Sequence, residues 1–179
     1  ATFSDPGFSF PTLGTTERFW ATIDWDDGSA LETVPVTATQ GGPGEPTVGT
    51  VAAEHMYADQ GSYYPIITLH DDDGDSDTST AQIDVSNVPP IVATPGPLAG
   101  DEGSEFQLSL TATDAGLNDT LAVSIDWGDD TSSVATAEYD GVDWNFAANH
   151  TYADNGSYDI VASLSDGTDT VSTSTQATV

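Results

Sequence analysis

Apolar and polar residues alternate along several short segments of the chain. From Phe19 to Trp25 apolar residues occupy every second position, and the same alternation runs from Leu121 to Trp127. It recurs from Tyr63 to Leu69 and from Tyr158 to Leu164. A period of two sends successive side chains to opposite faces of a strand, so each segment is predicted to bury one face. Because no segment carries the spacing of an amphipathic helix, the pattern predicts an all-β protein.

Two motifs occur twice and in the same order. Residues 23–28 read Ile-Asp-Trp-Asp-Asp-Gly, and residues 125–130 read Ile-Asp-Trp-Gly-Asp-Asp, 102 positions later. Residues 55–63 read His-Met-Tyr-Ala-Asp-Gln-Gly-Ser-Tyr and are matched 95 positions later by residues 150–158. The seven-residue difference falls in the Gly/Pro-rich stretch 41–46, which is predicted to be a longer loop in the first copy. Short strands repeated at this period favour two β-sandwich domains.

The repeat places the domain boundary at a proline-rich linker. The predicted domains are residues 1–86 and residues 87–179, and the second begins with Asn87-Val88-Pro89-Pro90. Two consecutive prolines favour an extended backbone, so the linker is expected to be stiff.

The first domain is predicted to lack its opening strands. In the second copy, strand-like stretches at 91–95 and 105–113 precede the turn at Asp114, whereas only residues 1–4 precede the matching turn at Asp5. A sandwich without these strands exposes a sheet edge. Two explanations stay open at this point. The sequence is a segment of a longer repeat protein, or a strand from a neighbouring molecule completes the sheet and links molecules into filaments.

Together, these motifs resemble those of PKD (polycystic kidney disease) repeats. The resemblance is carried by the Asp-Trp turns at 24–28 and 126–130, the two His-x-Tyr-x-Asp-x-Gly-x-Tyr stretches and the Asn-x-Pro-Pro linker. Each turn departs by one glycine from the family's usual Asp-Trp-Gly-Asp-Gly, which puts the turn geometry in question. The resemblance covers nearly the whole chain and implies immunoglobulin-like sandwiches. It also implies a mostly extracellular location and a role as spacer, adhesive unit or accessory module of a secreted hydrolase.

Charge narrows the range of partners. The chain has 30 Asp and Glu residues against a single Arg and no Lys, for a formal charge of −29. Such a field repels phosphate backbones and anionic membrane surfaces, so nucleic-acid binding is not expected. It attracts divalent cations instead. Cysteine is absent, which excludes disulfides and cysteine ligands, and no apolar run approaches the length of a membrane span.

Carboxylates are concentrated in loops that follow the alternating segments. The densest run is Asp-Asp-Asp-Gly-Asp-Ser-Asp at 71–77, whose spacing is not that of an EF-hand. Hard oxygen ligands in a flexible loop suit calcium, with an affinity of roughly 0.1 to 1 mM in extracellular modules, and a solvated acidic turn is the alternative. The second copy has a smaller group of acidic residues at the matching place, and Asp169 also belongs to this group. The predicted calcium ligands are Asp5, Asp71, Asp73, Asp75, Asp77, Asp114, Asp119 and Asp166.

One group of residues is predicted to form an interaction patch. Trp20, Tyr64 and Ile66 fall on the outward positions of two strands expected to pair, and Arg18 lies close by. Exposed patches of this composition mark interfaces with a partner or a sister molecule. The alternatives are chance and packing between domains.

Catalysis is not expected. Paired aspartates at 26–27 and 129–130 suit a glycosidase in principle, but aspartates that bond their own backbone explain such turns better. The sequence contains no nucleophile elbow, phosphate-binding loop or metal-binding histidine pair. The repeated His55 and His150 are expected to be packed or hydrogen-bonded residues.

The leading hypothesis is an extracellular structural or adhesive module, a calcium-stiffened spacer of a microbial surface protein or filament. Its partners would be neighbouring repeats or copies of itself, with strand complementation as one mode of assembly. The alternative is a carbohydrate- or matrix-binding accessory domain of a secreted hydrolase, whose partner is a surface or matrix glycan or protein.

Overall fold

A computed structural model describes residues 1–179, except for the side chain of Thr136. The chain divides into two compact units. The first comprises residues 1–57 and 61–85, and the second comprises residues 58–60 and 86–179. The described backbone contains no α-helix and only one 3₁₀ turn, at Pro11–Leu13, so the predicted all-β fold class is confirmed.

The first unit contains two main sheets and one short strand pair. A four-stranded sheet has the order β3-β2-β7-β8, a three-stranded sheet has the order β1-β5-β4, and β6 pairs with β9. The nine strands are β1 (Thr2–Asp5), β2 (Phe19–Asp24), β3 (Glu32–Val34), β4 (Val36–Thr39), β5 (Thr47–Val51), β6 (Gly61–Tyr63), β7 (Ile66–Asp71), β8 (Ser76–Thr80) and β9 (Ile83–Val85).

The second unit is the more complete sandwich. Its sheets have the orders β10-β12-β16-β15 and β11-β18-β17-β13-β14, and β11 runs parallel to β18. The nine strands are β10 (Ile91–Val92), β11 (Leu98–Ala99), β12 (Glu105–Thr113), β13 (Ala122–Asp126), β14 (Ser132–Thr136), β15 (Glu138–Tyr139), β16 (Trp144–Thr151), β17 (Ser157–Ser165) and β18 (Thr170–Thr178).

A buried tryptophan lies in the core of each unit, as the alternation predicted. Trp127 is fully buried, and Trp25 is 8 % exposed. The core around Trp127 contains fifteen buried apolar residues, whereas the core around Trp25 contains five. Because apolar burial stabilises a fold by about 25 cal/mol per Å², the second unit has the larger hydrophobic contribution to its stability.

The smaller core matches a shorter set of strands. The described first unit has no counterpart of β10 or β11, and β1 has four residues where β12 has nine. Residues 2–5 nevertheless form a strand, since β1 pairs with β5 as β12 pairs with β16.

Proline explains why the first unit has two short strands where the second has one long strand. Pro65 separates β6 from β7 and occupies the position of Ile160, which lies inside the unbroken β17. Proline has no N–H to donate to a ladder, so it interrupts the pairing at that point. The carbonyl of Pro65 still accepts the N–H of Ala81, at 3.3 Å.

The two Asp-Trp turns keep the same backbone geometry although their glycines differ. Asp26 has φ 63° where the second turn has Gly128 at 77°, and Asp130 has φ 66° where the first turn has Gly28 at 79°. Aspartate tolerates the left-handed region better than most residues because its short polar side chain can bond locally. The Asp26 side chain is held by a distant partner as well, since its Oδ2 accepts the N–H of Tyr64 at 2.9 Å. The one-glycine departures therefore leave the turns intact.

Each repeated histidine is packed between an aromatic core and a carboxylate. The His150 ring stacks on Trp127 with 4.8 Å between centroids, and Tyr152 meets the histidine edge-on. The hydroxyl of Tyr152 donates to the carbonyl of Trp127 at 2.9 Å, which ties β16 to the Asp-Trp turn. A similar arrangement holds around His55.

Candidate metal centre

Two neighbouring loops of the second unit bring three carboxylates together. Asp114 follows β12, Asp119 ends the same turn, and Asp166 follows β17. One carboxylate oxygen from each lies within 4.8 Å of the other two. The three residues lie 52 positions apart at most, so only the fold makes them neighbours.

The turn that carries Asp114 and Asp119 is folded around a glycine. The Oδ1 atom of Asp114 accepts the N–H of Gly116 at 2.7 Å, and the N–H of Asp119 donates to the Gly116 carbonyl at 3.1 Å. A Cβ atom at Gly116 would clash with Oδ2 of Asp119. Glycine therefore allows the Asp119 carboxylate to fold back over the turn toward Asp114.

The third carboxylate is fixed by its own loop and by an asparagine. Oδ1 of Asp166 accepts the N–H groups of Thr168 and Asp169, at 2.8 and 2.6 Å. Its Oδ2 accepts the side-chain amide of Asn87 at 2.8 Å, and the same amide nitrogen donates to Oδ2 of Asp169 at 2.9 Å. Asn87 is the first residue of the proline-rich stretch, so the amide joins that stretch to the acidic loop.

Two oxygens of the cluster are buried and lack a hydrogen-bond partner. They are Oδ2 of Asp114 and Oδ2 of Asp119, and neighbouring Asp166 is only 7 % exposed. Buried polar atoms are nearly always satisfied, and an unpartnered buried carboxylate oxygen is costly. The two oxygens therefore identify a position where a positive ligand would be stabilised.

The pKa values of the three groups respond to this environment in different directions. Burial, reinforced by the negative charge of Asp166, raises the pKa of Asp114 despite the Gly116 hydrogen bond. Burial and the neighbouring carboxylates, Asp114 and Asp166 among them, likewise raise the pKa of Asp119. Burial also acts to raise the pKa of Asp166, but hydrogen bonds from Asn87, Asp169 and Thr168 outweigh it and lower that pKa. The arrangement thus stabilises one charge internally and leaves two uncompensated.

The donor set fits a hard divalent cation. All the groups that meet here are carboxylate oxygens, and calcium takes six to eight oxygen ligands in flexible geometry, water included. Neither histidine nor cysteine contributes, which argues against a zinc-type site. Asp114, Asp119 and Asp166 are the residues that would hold the ion.

Comparison with known proteins matches this unit to a family. The family model described as "PKD domain" matches residues 87–179, slightly more than half of the chain. The chain belongs to the PKD domain family. The resemblance stated from the sequence is thereby confirmed for the second unit. The first unit lies outside the matched residues but repeats its Asp-Trp turn and its histidine–tryptophan stack.

Several solved structures show some similarity to this chain. One is the PKD domain of an M14-like peptidase from Thermoplasmatales archaeon SCGC AB-540-F20, at 24 % identity and TM-score 0.40, covering 52 % of this chain and 98 % of that one. Another is the endo-fucoidan hydrolase MfFcnA4_H294Q of glycoside hydrolase family 107, at 17 % identity and TM-score 0.38, covering 93 % of this chain and 24 % of that one. Domains 4 and 5 of the S-layer protein SbsC match at 15 % identity and TM-score 0.35, covering 89 % and 70 %. No curated protein matches the chain.

The PKD family has a usual cellular location and a typical role. PKD domains are usually extracellular and typically serve as non-catalytic accessory modules. None of the described helical segments is long and apolar enough to span a membrane.

Several of the calcium ligands predicted for the first unit lie in one groove. Four of its predicted ligands, Asp5, Asp71, Asp75 and Asp77, line one groove of about 260 Å³. Asp73 is not among the residues that line it. Within the described residues, the second unit alone brings three carboxylates within 4.8 Å of one another.

Asp71 and Asp5 bond their own loops in the same way as their counterparts in the second unit, Asp166 and Asp114. Oδ1 of Asp71 accepts the N–H groups of Asp73, Gly74 and Asp75, between 2.9 and 3.1 Å, so Asp71 organises the hairpin turn through its own backbone. Oδ1 of Asp5 accepts the N–H of Gly7 at 2.6 Å, the counterpart of the bond between Asp114 and Gly116.

Sequence reasoning missed Glu17, which occupies the position of Asp119 in the first copy. Burial, followed by the charges of Asp72, Asp5, Asp73 and Asp71, raises its pKa. The signal was present in the sequence, because Glu17 precedes Asp119 by the same 102 positions that separate the two Asp-Trp turns.

The predicted interaction patch is exposed but divided. Trp20 pairs with His70 across β2 and β7, whereas Ile66 pairs with Asp24, so Thr22 and Thr68 lie between the two apolar residues. Trp20 is 42 % exposed, Ile66 43 % and Tyr64 51 %. Arg18 is also exposed, and its backbone N–H donates to Asp72 at 2.9 Å.

Proposed function

We propose that this chain is a structural module of an extracellular protein, in which calcium bound by the second PKD unit stabilises the fold. The module would hold neighbouring repeats, or further copies of itself, at a fixed spacing in a microbial surface protein or filament. The observation that carries the proposal is the group of three carboxylates in which Asp114 and Asp119 each have a buried oxygen without a hydrogen-bond partner.

Electrostatics supports the role of the ion. A chain with a formal charge of −29 repels itself when it folds, and the repulsion is strongest where carboxylates are buried together. A divalent cation between Asp114, Asp119 and Asp166 would offset this repulsion in the folded state only. Calcium binding would therefore appear as increased stability.

Asn87 connects the proposed site to a mechanical role. Its amide donates to both Asp166 and Asp169, and Pro89 and Pro90 follow two and three residues later. Fixing Asn87 fixes the start of a stretch that proline already restricts. An ion that orders Asp166 would thus stiffen the beginning of the second unit.

Assembly by strand addition is the further element of this proposal. Among the described strands, β1 lies at an edge of its sheet, whereas its counterpart β12 also pairs with β10. A strand from a neighbouring repeat or copy could pair with such an edge through main-chain hydrogen bonds. Sedimentation at micromolar concentration tests this element, since a clean monomer of the whole chain would exclude assembly between copies.

A second candidate function is a carbohydrate- or matrix-binding accessory domain of a secreted hydrolase. The exposed Trp20 on the outer face of the first unit favours it, because a half-exposed tryptophan is a frequent binding anchor.

Thermal melting with calcium and then with a chelator tests the leading proposal. With a dissociation constant of roughly 0.1 to 1 mM, 10 mM calcium would stabilise the second unit by about 1.4 to 2.7 kcal/mol. For a unit of this size each kcal/mol raises the melting temperature by about 4–8 °C. An unchanged midpoint of the second unit in calcium would refute the proposal, and magnesium at equal concentration controls for general screening.

A further inference from the structure

Four threonines form a row across the outer face of the first unit's four-stranded sheet. Thr22 on β2 pairs with Thr33 on β3 and with Thr68 on β7, and Thr68 pairs in turn with Thr78 on β8. Directly paired residues project to the same face, and neighbouring strands lie about 4.8 Å apart. The four side chains therefore cross the whole sheet in register. The opposite face of the same strands contributes to the buried core.

Aromatic and apolar side chains flank the threonine row. On one side Trp20 pairs with His70, and their rings stack with centroids 5.2 Å apart and planes inclined by 11°. The Nε2 atom of His70 also lies 3.3 Å from the hydroxyl oxygen of Thr22, which connects the stack to the row. On the other side lies Ile66, which is 43 % exposed. The face thus combines an ordered aromatic surface with a line of hydroxyl groups.

This face carries little charge for so acidic a protein. Asp24 is the one carboxylate among the outward positions that the described strands β2, β7 and β8 contribute, whereas the chain has 30 acidic residues. The carboxylate of Asp24 is engaged locally, since its Oδ1 accepts the N–H of Asp26 at 3.1 Å. A neutral ligand would therefore displace water from few charged side chains here, so the desolvation cost is small.

From these features we infer that the outer face of this sheet binds a neutral polysaccharide, with the Trp20 indole stacked on a sugar ring and the threonine hydroxyls bonded to sugar hydroxyls. Sugar rings have an apolar C–H face that packs on an aromatic surface, and each threonine hydroxyl both donates and accepts. The β-branched threonines are stiff at χ1 and sit on a rigid sheet, so ordering them on binding costs little.

The negative charge of the chain favours a neutral ligand over an anionic one on this face. Nucleic acid and anionic glycans would be repelled by a chain with a formal charge of −29. The corresponding face of the second unit has Ala122 where the first has Trp20, and it has Ser163 where the first has Thr68. The inference is therefore specific to the first unit. It specifies the second candidate function and does not depend on the calcium site.

Retention of the whole chain on insoluble polysaccharides tests the inference. The probes are microcrystalline cellulose, chitin and insoluble xylan as neutral polymers, with calcium alginate beads as the anionic one. We expect retention on at least one neutral polymer, and we expect Trp20→Ala and Thr68→Val each to weaken it by about tenfold or more, a change of about 1.4 kcal/mol. Tyr139→Ala and Thr151→Val, which change exposed residues of the second unit, should bind like the unaltered chain.

Two further measurements separate this inference from the calcium proposal and from misfolding. Retention on the polysaccharide should be the same in calcium and in chelator. The polysaccharide inference can therefore fail while calcium still stabilises the fold, and the calcium proposal can fail while retention persists. Thr68→Val keeps the shape of the side chain, and near-ultraviolet circular dichroism verifies its fold. Failure to bind all three neutral polymers, or equal binding by both variants, would overturn the inference. It would also be overturned if Trp20→Ala abolished binding to alginate or self-association instead.

Discussion

The Nε2 atom of His150 lies 2.8 Å from Oδ2 of Asp129, and the histidine ring stacks on Trp127. The same pairing recurs in the first unit between His55 and Asp27, at 2.6 Å. Each pair joins the turn that follows the tryptophan-bearing strand to the segment that leads into the next tyrosine, Tyr152 in the second unit and Tyr57 in the first. The histidines are therefore part of the frame that holds the two sheets together, and the nearby aspartates act on the turn's own backbone.

This pairing predicts a loss of stability in acid. Hydrogen bonds, first from the Ser29 hydroxyl and then from His55, lower the pKa of Asp27 from about 3.8 to about 2. Since the folded-state pKa lies below the unfolded value, the carboxylate's contribution is fully present above pH 3.8 and is lost as the pH falls through about 2. Urea unfolding between pH 5 and pH 2 should show this loss in the first unit. Asp27→Asn should flatten that part of the profile, and an unchanged profile would contradict the assignment.

Removing the central tryptophans should affect the two units unequally. Trp127 is fully buried among fifteen core residues, so Trp127→Ala should destabilise the second unit by about 3–5 kcal/mol. Trp25 is 8 % exposed in a core of five, where its neighbours can relax more freely, so Trp25→Ala should cost less. Chemical denaturation followed by tryptophan fluorescence and circular dichroism measures both. Equal losses of unfolding free energy in the two units would contradict the expected difference between their cores.

The left-handed conformation of Asp130 makes a prediction about substitutions in the turn. Asp130→Gly supplies the residue that the matching position uses, so it should be neutral or slightly stabilising. Asp130→Val places a β-branched residue at φ 66° and should destabilise the second unit by about 1–2 kcal/mol. Melting temperatures of the two variants, compared side by side, provide the test. If Val and Gly gave the same midpoint, the turn would not have the described conformation.

The acidic cluster predicts opposite effects of one substitution with and without calcium. Burial and neighbouring negative charges destabilise the charge of Asp119, and Asp119→Asn removes that charge. In the presence of a chelator, the variant should therefore be more stable than the unaltered protein. The same change removes a ligand, so the gain on adding calcium should shrink or vanish. Asp101→Asn, at an exposed carboxylate outside the cluster, is the control and should leave the calcium effect intact. Asp119→Asn with an undiminished calcium effect would exclude Asp119 as a ligand.

The strands and the buried tryptophans could be predicted from the sequence because alternation at a period of two reports directly on burial. Trp25 and Trp127 are buried, as the alternation predicts. The interruption at Pro65 was less apparent, since its apolar side chain fits the alternation while its missing N–H breaks the ladder.

The candidate site was harder to predict because it depends on side-chain geometry. Asp114, Asp119 and Asp166 were all named from the sequence, but nothing in it showed that two of their oxygens lack partners. Asp71 and Asp166 each accept backbone N–H groups of their own loops, so this bonding does not separate the run at 71–77 from the cluster of the second unit. Charge density along the sequence does not distinguish a turn that satisfies its carboxylates from one that leaves them unsatisfied.

Anomalous scattering from crystals grown in calcium would test the central claim most directly. An ion with oxygen ligands at about 2.3–2.6 Å from Asp114, Asp119 and Asp166 is the predicted result. Crystals in saturating calcium with no anomalous peak among these three carboxylates would contradict the account.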